Sequence, residues 1–328
     1  MMKRIILYLS SLICIPLGLT LVFSLFSDKV QFGNGGYNVQ SHLLGKTVLI
    51  EVNGLYKSLD VEEYILGVLP GTVPADYDIE TLKVQAILIR TNVLKEMLEK
   101  NTSDAADLSY HYLTVEERKE LWGERNVEKN TKKFEQAVSE TAGLVVEQEG
   151  AMIMALYHEV SIGKTASAKE ILDEDISYLQ SVESSRDVEA KNYMNLVTYN
   201  WQELQELNKQ KNENDKADTK EEGTEEKNQE KIDIHIDEST DNGFVKKLTV
   251  DGVEYTGDEA MKQFNLTSTN FYVEEIGEGV RFVCLGKGNC LGVSLYGANC
   301  MILDGKTAEE VIKYYYQNVT VQSYQANQ

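Results

Sequence analysis

Polar and apolar positions alternate like a strand along TVLIEVNG (47–54), and the pattern then changes to a helical period. DVEEYILGVL follows, with Asp60 placed to cap a helix. From Asp78 to Lys100, apolar side chains recur at Leu82, Ala86, Ile89, Val93 and Met97, which predicts a long helix with one face on a core. Between these helices, VLPGTVP sets Pro70 and Pro74 around Gly71 and Thr72. Proline fixes its own φ and disfavours helix in the residue before it, so a short rigid turn is expected. TVEERKELWG carries a capping-box pattern at Thr114 and Glu117, and KFEQAVSETAG continues as helix. LVVEQEGAMIMALYH reads as two strands joined at Glu149-Gly150, the second apolar enough to be buried on both faces.

The pattern stops between Gln205 and Lys231. NKQKNENDKADTKEEGTEEKNQEK has no aromatic and no branched aliphatic residue, so a disordered charged insertion is expected over 205–231. Strand pairs resume at DIHID with GFVKKLTVDGVEYTG, turning at Asp-Gly, and again at FYVEEIGEGVRFVCLG. GNCLGVSLYGANCMILDG is glycine-rich and leads into a helix, and a last helix starts at Thr307 with TAEE as a second capping box. No internal repeat is visible. The reading is an α+β fold in one domain over 46–321, with a tail at 322–328.

The N-terminus has a different character. Ile5 to Phe26 contains no charged residue, and at about 1.5 Å rise per residue it spans a bilayer's hydrocarbon core. A cleaved signal peptide would have a shorter apolar region ending in small residues. Lys3 and Arg4 precede the span, which orients residues 1–4 to the cytoplasm and the rest outside. The expectation is a single-pass anchor in the cell membrane at 5–26, a stalk at 27–45, and an extracytoplasmic domain.

Composition narrows the partners. The 328 residues carry 53 acidic against 32 basic side chains, a formal charge of −21, which argues against nucleic acid or anionic lipid as a general partner. At 42 % hydrophobic content the chain can build a proper core. Of four cysteines, Cys14 lies in the apolar span, leaving Cys284, Cys290 and Cys300, an odd number. Cys290 and Cys300 could pair across LGVSLYGAN or stay free and buried. No C-x-x-C occurs, and neither a metal nor a cofactor is expected.

Four segments, in order, resemble the stage II sporulation protein D (SpoIID/LytB) family. VEEYILGVLPGTVPADYDIETLKVQAILIRTNV is similar to its leading L-E-E-Y…E-M-P…E-A-L-K-A-Q-A-x-x-A-R-T motif. TAGLVVEQEGAMIMALYHEVSIGKTASAKEI resembles its G-x-V-L…A-x-Y-H-S-x-S-G-G-K-T segment, and YLQSVES its Y-L-x-S-V-x-S stretch. GNCLGVSLYGANCMILDGKTAEEVIKYYY is similar to the G-H-G-V-G-M-S-Q-Y-G-A-N…Y-Y ending. The resemblance covers about 46–321, interrupted by the charged stretch.

It implies a cell-wall protein working on peptidoglycan glycan strands. Family members resemble lytic transglycosylases that cleave strands already stripped of peptides by a partner amidase, within a wall-remodelling complex of membrane proteins. That chemistry needs one carboxyl group, acid and then base, in a partly desolvated site. Carried over, the family's catalytic glutamate falls on Thr72, which cannot supply a proton at neutral pH. The His of G-H-G-V-G falls on Asn289, the next Gly on Cys290 and the Gln of S-Q-Y-G on Leu295. The resemblance therefore implies a protein that binds glycan or scaffolds the complex with its catalysis lost or reduced. The alternatives are a lyase using another carboxylate, Asp76 or Glu80 first, and an amidase enhancer. ADYDIE also reads as an ordinary acidic helix start.

Matching positions include Lys83, Thr91, Gly163, Gly297, Ala298 and Asn299. The expected glycan-binding cleft is Gln85, Arg90, Tyr157, His158, Lys164, Thr165, Asn289, Ser294 and Tyr296. Structural roles compete for several of these. Gln85 and Arg90 lie off the apolar stripe and suit an internal hydrogen bond or ion pair equally well, and His158 suits a backbone hydrogen bond. Some members hold a metal with cysteines just after the Arg-Thr helix, but NTSDAADLSYHY has none. The GKT triplet lacks the upstream glycine of a phosphate loop.

Overall fold

A computed structural model describes residues 45–215 and 231–325. The expected cytoplasmic residues, the anchor at 5–26, the stalk to residue 44 and residues 216–230 and 326–328 lie outside the described residues. Among the described residues no helix is long and apolar enough to cross a membrane.

The first half builds one long helix and its surroundings. β1 (Thr47–Val52) and β2 (Leu55–Asp60) form a hairpin over Asn53 and Gly54, both at positive φ as a two-residue turn demands. Asp60 caps α1 (Val61–Val68), its carboxylate accepting from the Glu62 N–H at 2.9 Å. A 3₁₀ turn at Leu69–Gly71 follows directly, and Leu69 stays helical at φ −53°, ψ −41°. The expected exclusion of helix before Pro70 therefore fails. Pro70 sits in the first turn of the new segment, where its missing N–H costs nothing, and Leu69 is fully buried. Asp78 caps α2 (Ile79–Glu99), followed by a 3₁₀ turn at Ala105–Asp107. Thr114 and Glu117 form both capping-box bonds at the start of α3 (Val115–Trp122). α4 (Glu124–Glu140) begins well before the predicted Lys133.

β3 (Leu144–Gln148) turns at Glu149-Gly150 into β4 (Ala151–Met152), as the pattern predicts. The second strand then breaks instead of running on to β5 (Tyr157–His158). Asn92 of α2 explains the break, since its amide takes both the N–H and the C=O of Ala155, each at 2.9 Å. After α5 (Ala168–Leu172) and a 3₁₀ turn at Ser185–Glu189 come β6 (Met194–Asn200) and α6 (Trp201–Asp215). α6 makes residues 205–215 helical where disorder was expected. Leu204 is buried in its first turns, and Asn208 bonds the Val250 carbonyl and the Tyr255 hydroxyl. Then follow β7 (Ile234–Ser239), β8 (Val245–Val250), β9 (Val253–Thr256), α7 (Gly257–Gln263), β10 (Phe271–Ile276) and β11 (Gly279–Leu285). β12 (Val293–Ser294), α8 (Leu295–Leu303), α9 (Ala308–Tyr315) and β13 (Thr320–Ser323) complete the described chain. β13 pairs antiparallel with β3 through Ser323, so the sheet takes in the start of the expected tail.

The fold is α+β, and its interior is divided. One core gathers β1, α1, α2, α4, β3, α8 and α9, with α2 at its centre. That helix is buried on nearly every side between Thr81 and Leu94, beyond the single stripe of the periodicity, because other elements surround it. A second core forms within 201–284, under the sheets β10-β11-β6 and β7-β8-β9. It falls between the third and fourth motifs, so the one expected domain has two hydrophobic centres. Ala166, Phe244, Cys290 and Leu291 form a small cluster of their own.

Candidate functional site

Thr72 ends the 3₁₀ turn, half-buried. Its N–H and its hydroxyl both reach back to the Leu69 carbonyl, at 3.0 and 2.9 Å. The segment after it is fastened from two sides. Lys133 of α4 donates to the Ala75 carbonyl at 2.9 Å and to that of Tyr77, and burial lowers its pKa. Asn299 of α8 accepts from the Asp78 N–H at 2.8 Å and from the Thr81 hydroxyl at 3.0 Å. The first and fourth motifs, 221 residues apart, therefore meet at this turn.

Beside it, β5 and β12 pair in parallel, setting Tyr157 against Val293 and His158 against Ser294. Ser294 is fully buried and caps α8 through the Gly297 N–H at 3.2 Å. His158 gives its Nδ1 proton to the Leu291 carbonyl at 3.0 Å, while Nε2 has no partner. Burial lowers its pKa to about 4, so the imidazole is neutral at neutral pH. The Tyr296 N–H donates to the Glu159 carbonyl at 3.1 Å. Tyr157, pushed up to about 12 by burial, faces Gln85 and Tyr110. Gln85 itself is fully buried, and neither atom of its amide makes a well-formed hydrogen bond.

Several expected cleft residues serve the interior instead. Arg90 is fully buried and meets Glu62 in a two-point ion pair at 2.8 and 2.7 Å, with further bonds to Leu144, Val138 and Thr141. No part of its guanidinium is left for a ligand. Thr91 accepts from the Val146 N–H and Thr165 from the Val182 N–H, each at 2.9 Å. Asn289 folds its own turn through the Leu291 N–H at 3.0 Å. Lys164 lies half-buried where its backbone bridges to Glu183. Of the two substitute acids, Glu80 pairs with Lys83 at 2.5 Å and Asp76 is exposed. Cys284, Cys290 and Cys300 are free and buried. Among the described residues no group of three or more His, Cys, Asp or Glu side chains gathers to hold a metal.

Some residues at the site escape sequence reasoning. Tyr77 follows Thr72 by one turn, and burial drives its phenol well above the ordinary range, with Glu159 and Asp76 adding to the effect. Glu159 stands where the family motif has serine, and it bonds Asn192 and pairs with Lys287 at 2.6 Å. Asp187 is fully buried, accepts from the Ser161 N–H at 2.7 Å, and has its pKa raised by that burial. Only the departure from serine at Glu159 was readable beforehand; Lys133 and Asp187 had no local signal.

Comparison with known proteins agrees with the motif order. A family model described as stage II sporulation protein, SpoIID, matches residues 52–147. Stage II sporulation protein D of Bacillus subtilis is 27 % identical over 277 residues, covering 82 % of this chain and 76 % of that protein. The protein of the same description from Bacillus amyloliquefaciens is 26 % identical over equal shares. An amidase enhancer of Bacillus subtilis is 26 % identical over 121 residues, covering 37 % of this chain and 15 % of its own. Two long alignments, the matched model and four motifs in register on one α+β scaffold have a single reading: the chain belongs to the stage II sporulation protein D (SpoIID) family.

Proposed function

We propose that this chain is a cell-wall protein of the sporulation type that binds peptide-free glycan strands of peptidoglycan without cleaving them. It is held at the membrane by residues 5–26 and works outside, within a wall-remodelling complex. The observation that carries the reading is Thr72. It occupies the position of the family's acid, and its hydroxyl donates its one proton to the Leu69 carbonyl. General acid–base catalysis contributes about 10²–10⁴-fold, so losing the acid removes a large part of any cleavage. The turn itself remains pinned by Lys133 and Asn299, which supports a retained binding platform. The similarity to an amidase enhancer supports a second reading, in which the chain stimulates a wall amidase by contact.

The test is incubation of the full-length chain with peptide-free glycan strands. Binding with no 1,6-anhydro product is expected, and Thr72→Glu should gain that product. Cleavage by the unaltered chain would overturn the loss of catalysis. Absence of strand binding, with an amidase nonetheless stimulated, would favour the second reading.

A further inference from the structure

β6 is an outer strand of the sheet β10-β11-β6, and among the described residues no strand pairs with its free edge. At its two ends the Gly286 N–H donates to the Tyr193 carbonyl at 2.7 Å, and the Trp201 N–H to the Glu278 carbonyl at 3.2 Å. In an antiparallel ladder such bonds recur at alternate residues, so Tyr193, Asn195, Val197, Tyr199 and Trp201 turn their backbone groups to β11. Met194, Leu196 and Thr198 turn theirs the other way. Asn200 does too, but its N–H is taken by the Glu203 carboxylate at 2.9 Å, which closes that end of the edge.

Open edges are ordinarily protected by charge, proline or a bulge. β7, an edge of the sheet β7-β8-β9, carries Asp237 and Glu238 and shifts register beside Glu238. β10, the opposite edge of the sheet that holds β6, carries Glu274 and Glu275. β6 has none of these devices. Its MNLVTYN pairs with β11 in unbroken register, and residues 192–202 contain no charged side chain in a chain of net charge −21.

The outer face of the sheet is apolar where it reaches this edge. Leu196, Val283 and Tyr272 stand directly opposite one another across the three strands and so share one face. The alternate residues Val197, Phe282 and Phe271 face inward and belong to the second core. On the outer face Leu196 is 57 % exposed, Met194 55 % and Tyr272 45 %.

The edge is symmetric about Leu196. An antiparallel copy of β6 centred there sets Leu196 against its own counterpart and Met194 against Thr198 of the second copy. The three free residues of each strand then make about six backbone hydrogen bonds. The row of Tyr272, Val283 and Leu196 continues into the same row of the second copy, reversed. Lys191 and Glu203, both exposed, bracket the uncharged run. Antiparallel pairing therefore brings the lysine end of one copy towards the glutamate end of the other, twice. An uncharged edge with complementary ends is what lets two copies of a strongly acidic chain approach.

We infer that β6 is a self-association edge: two copies of this chain pair antiparallel through Met194, Leu196 and Thr198 about a two-fold axis at Leu196. The inference does not depend on the glycan reading.

The test measures the mass of the full-length chain in detergent by sedimentation over a range of concentrations, together with hydrogen exchange of the β6 amides. A dimer is expected, with the Met194, Leu196 and Thr198 amides protected in it and exposed on dilution. Thr198→Pro removes an N–H that points away from β11, and Leu196→Lys puts charge on the two-fold axis. Each should raise the dissociation constant at least about tenfold while circular dichroism and melting stay unchanged. Register is read by two double variants. Met194→Lys with Thr198→Lys opposes like charges and should give monomers, whereas Met194→Glu with Thr198→Lys opposes unlike charges and should keep the dimer. A monomer at every concentration overturns the inference. So does a dimer indifferent to Thr198→Pro and Leu196→Lys, which would place the contact elsewhere, or equal weakening by the two double variants. Amides of β6 that become protected only when a wall amidase is added would give the edge to another protein and overturn the second copy as its occupant.

Discussion

Replacing Arg90 by alanine separates a structural from a ligand-binding role. Arg90 and Glu62 lie 28 residues apart and are 0 % and 1 % exposed, joined by two charged hydrogen bonds. Glu62 also accepts from the Gly143 N–H at 2.9 Å, so one carboxylate ties α1, α2 and the entry to β3. Arg90→Ala leaves that carboxylate buried without its cation, and it opens the space the guanidinium filled. Removing one partner of a buried pair costs about 3–5 kcal/mol. Replacing both, as Arg90→Met with Glu62→Leu, removes the stranded charge, and the cost should fall to about 1–2 kcal/mol, chiefly the orphaned Gly143 N–H. Urea unfolding followed by circular dichroism gives both values for the transition of the core that contains α2. A loss below about 1 kcal/mol for Arg90→Ala would refute the structural assignment. So would a variant of unchanged stability that no longer binds glycan strands.

His158 predicts an acid-sensitive fold. Its pKa falls from 6.5 to about 4 in the folded chain, so the unfolded chain takes up the proton first as pH drops. The stability it contributes is complete above about pH 6.5 and is lost on the way down to about pH 4, roughly 3 kcal/mol in all. Asp187, its pKa raised by burial, acts in the opposite sense as pH falls. His158→Asn keeps a donor for the Leu291 carbonyl, and it should flatten the dependence in thermal melts between pH 7 and 4; an unchanged slope would exclude His158 as its source. Gly67 tests packing against propensity. A Cβ there would lie 2.1 Å from the Tyr112 ring, which stacks on Tyr64 at 6.1 Å. Gly67→Ala should therefore destabilise by about 1–3 kcal/mol, although alanine is the better helix former, and a stabilised variant would contradict the contact.

What the sequence determined by itself is local in range. The caps at Asp60, Thr114 and Thr307 act within three residues, and all are present in the structure. The turns at Glu149-Gly150 and Asp251-Gly252 depend only on residues that tolerate positive φ. The motif order fixed the family and drew attention to Thr72. Tertiary structure decided where those side chains are used. Arg90 and His158 read as site residues because the family carries them, yet one is consumed by Glu62 and the other faces a carbonyl 133 residues away. The helix at 205–215 forms against expectation because buried Leu204 and Asn208 supply contacts that composition cannot show. The buried hydrogen bond between the Ser184 and Tyr315 hydroxyls spans 131 residues. Propensity and capping are set by near neighbours, whereas burial and partnership are set by residues far apart in the chain that folding alone brings together.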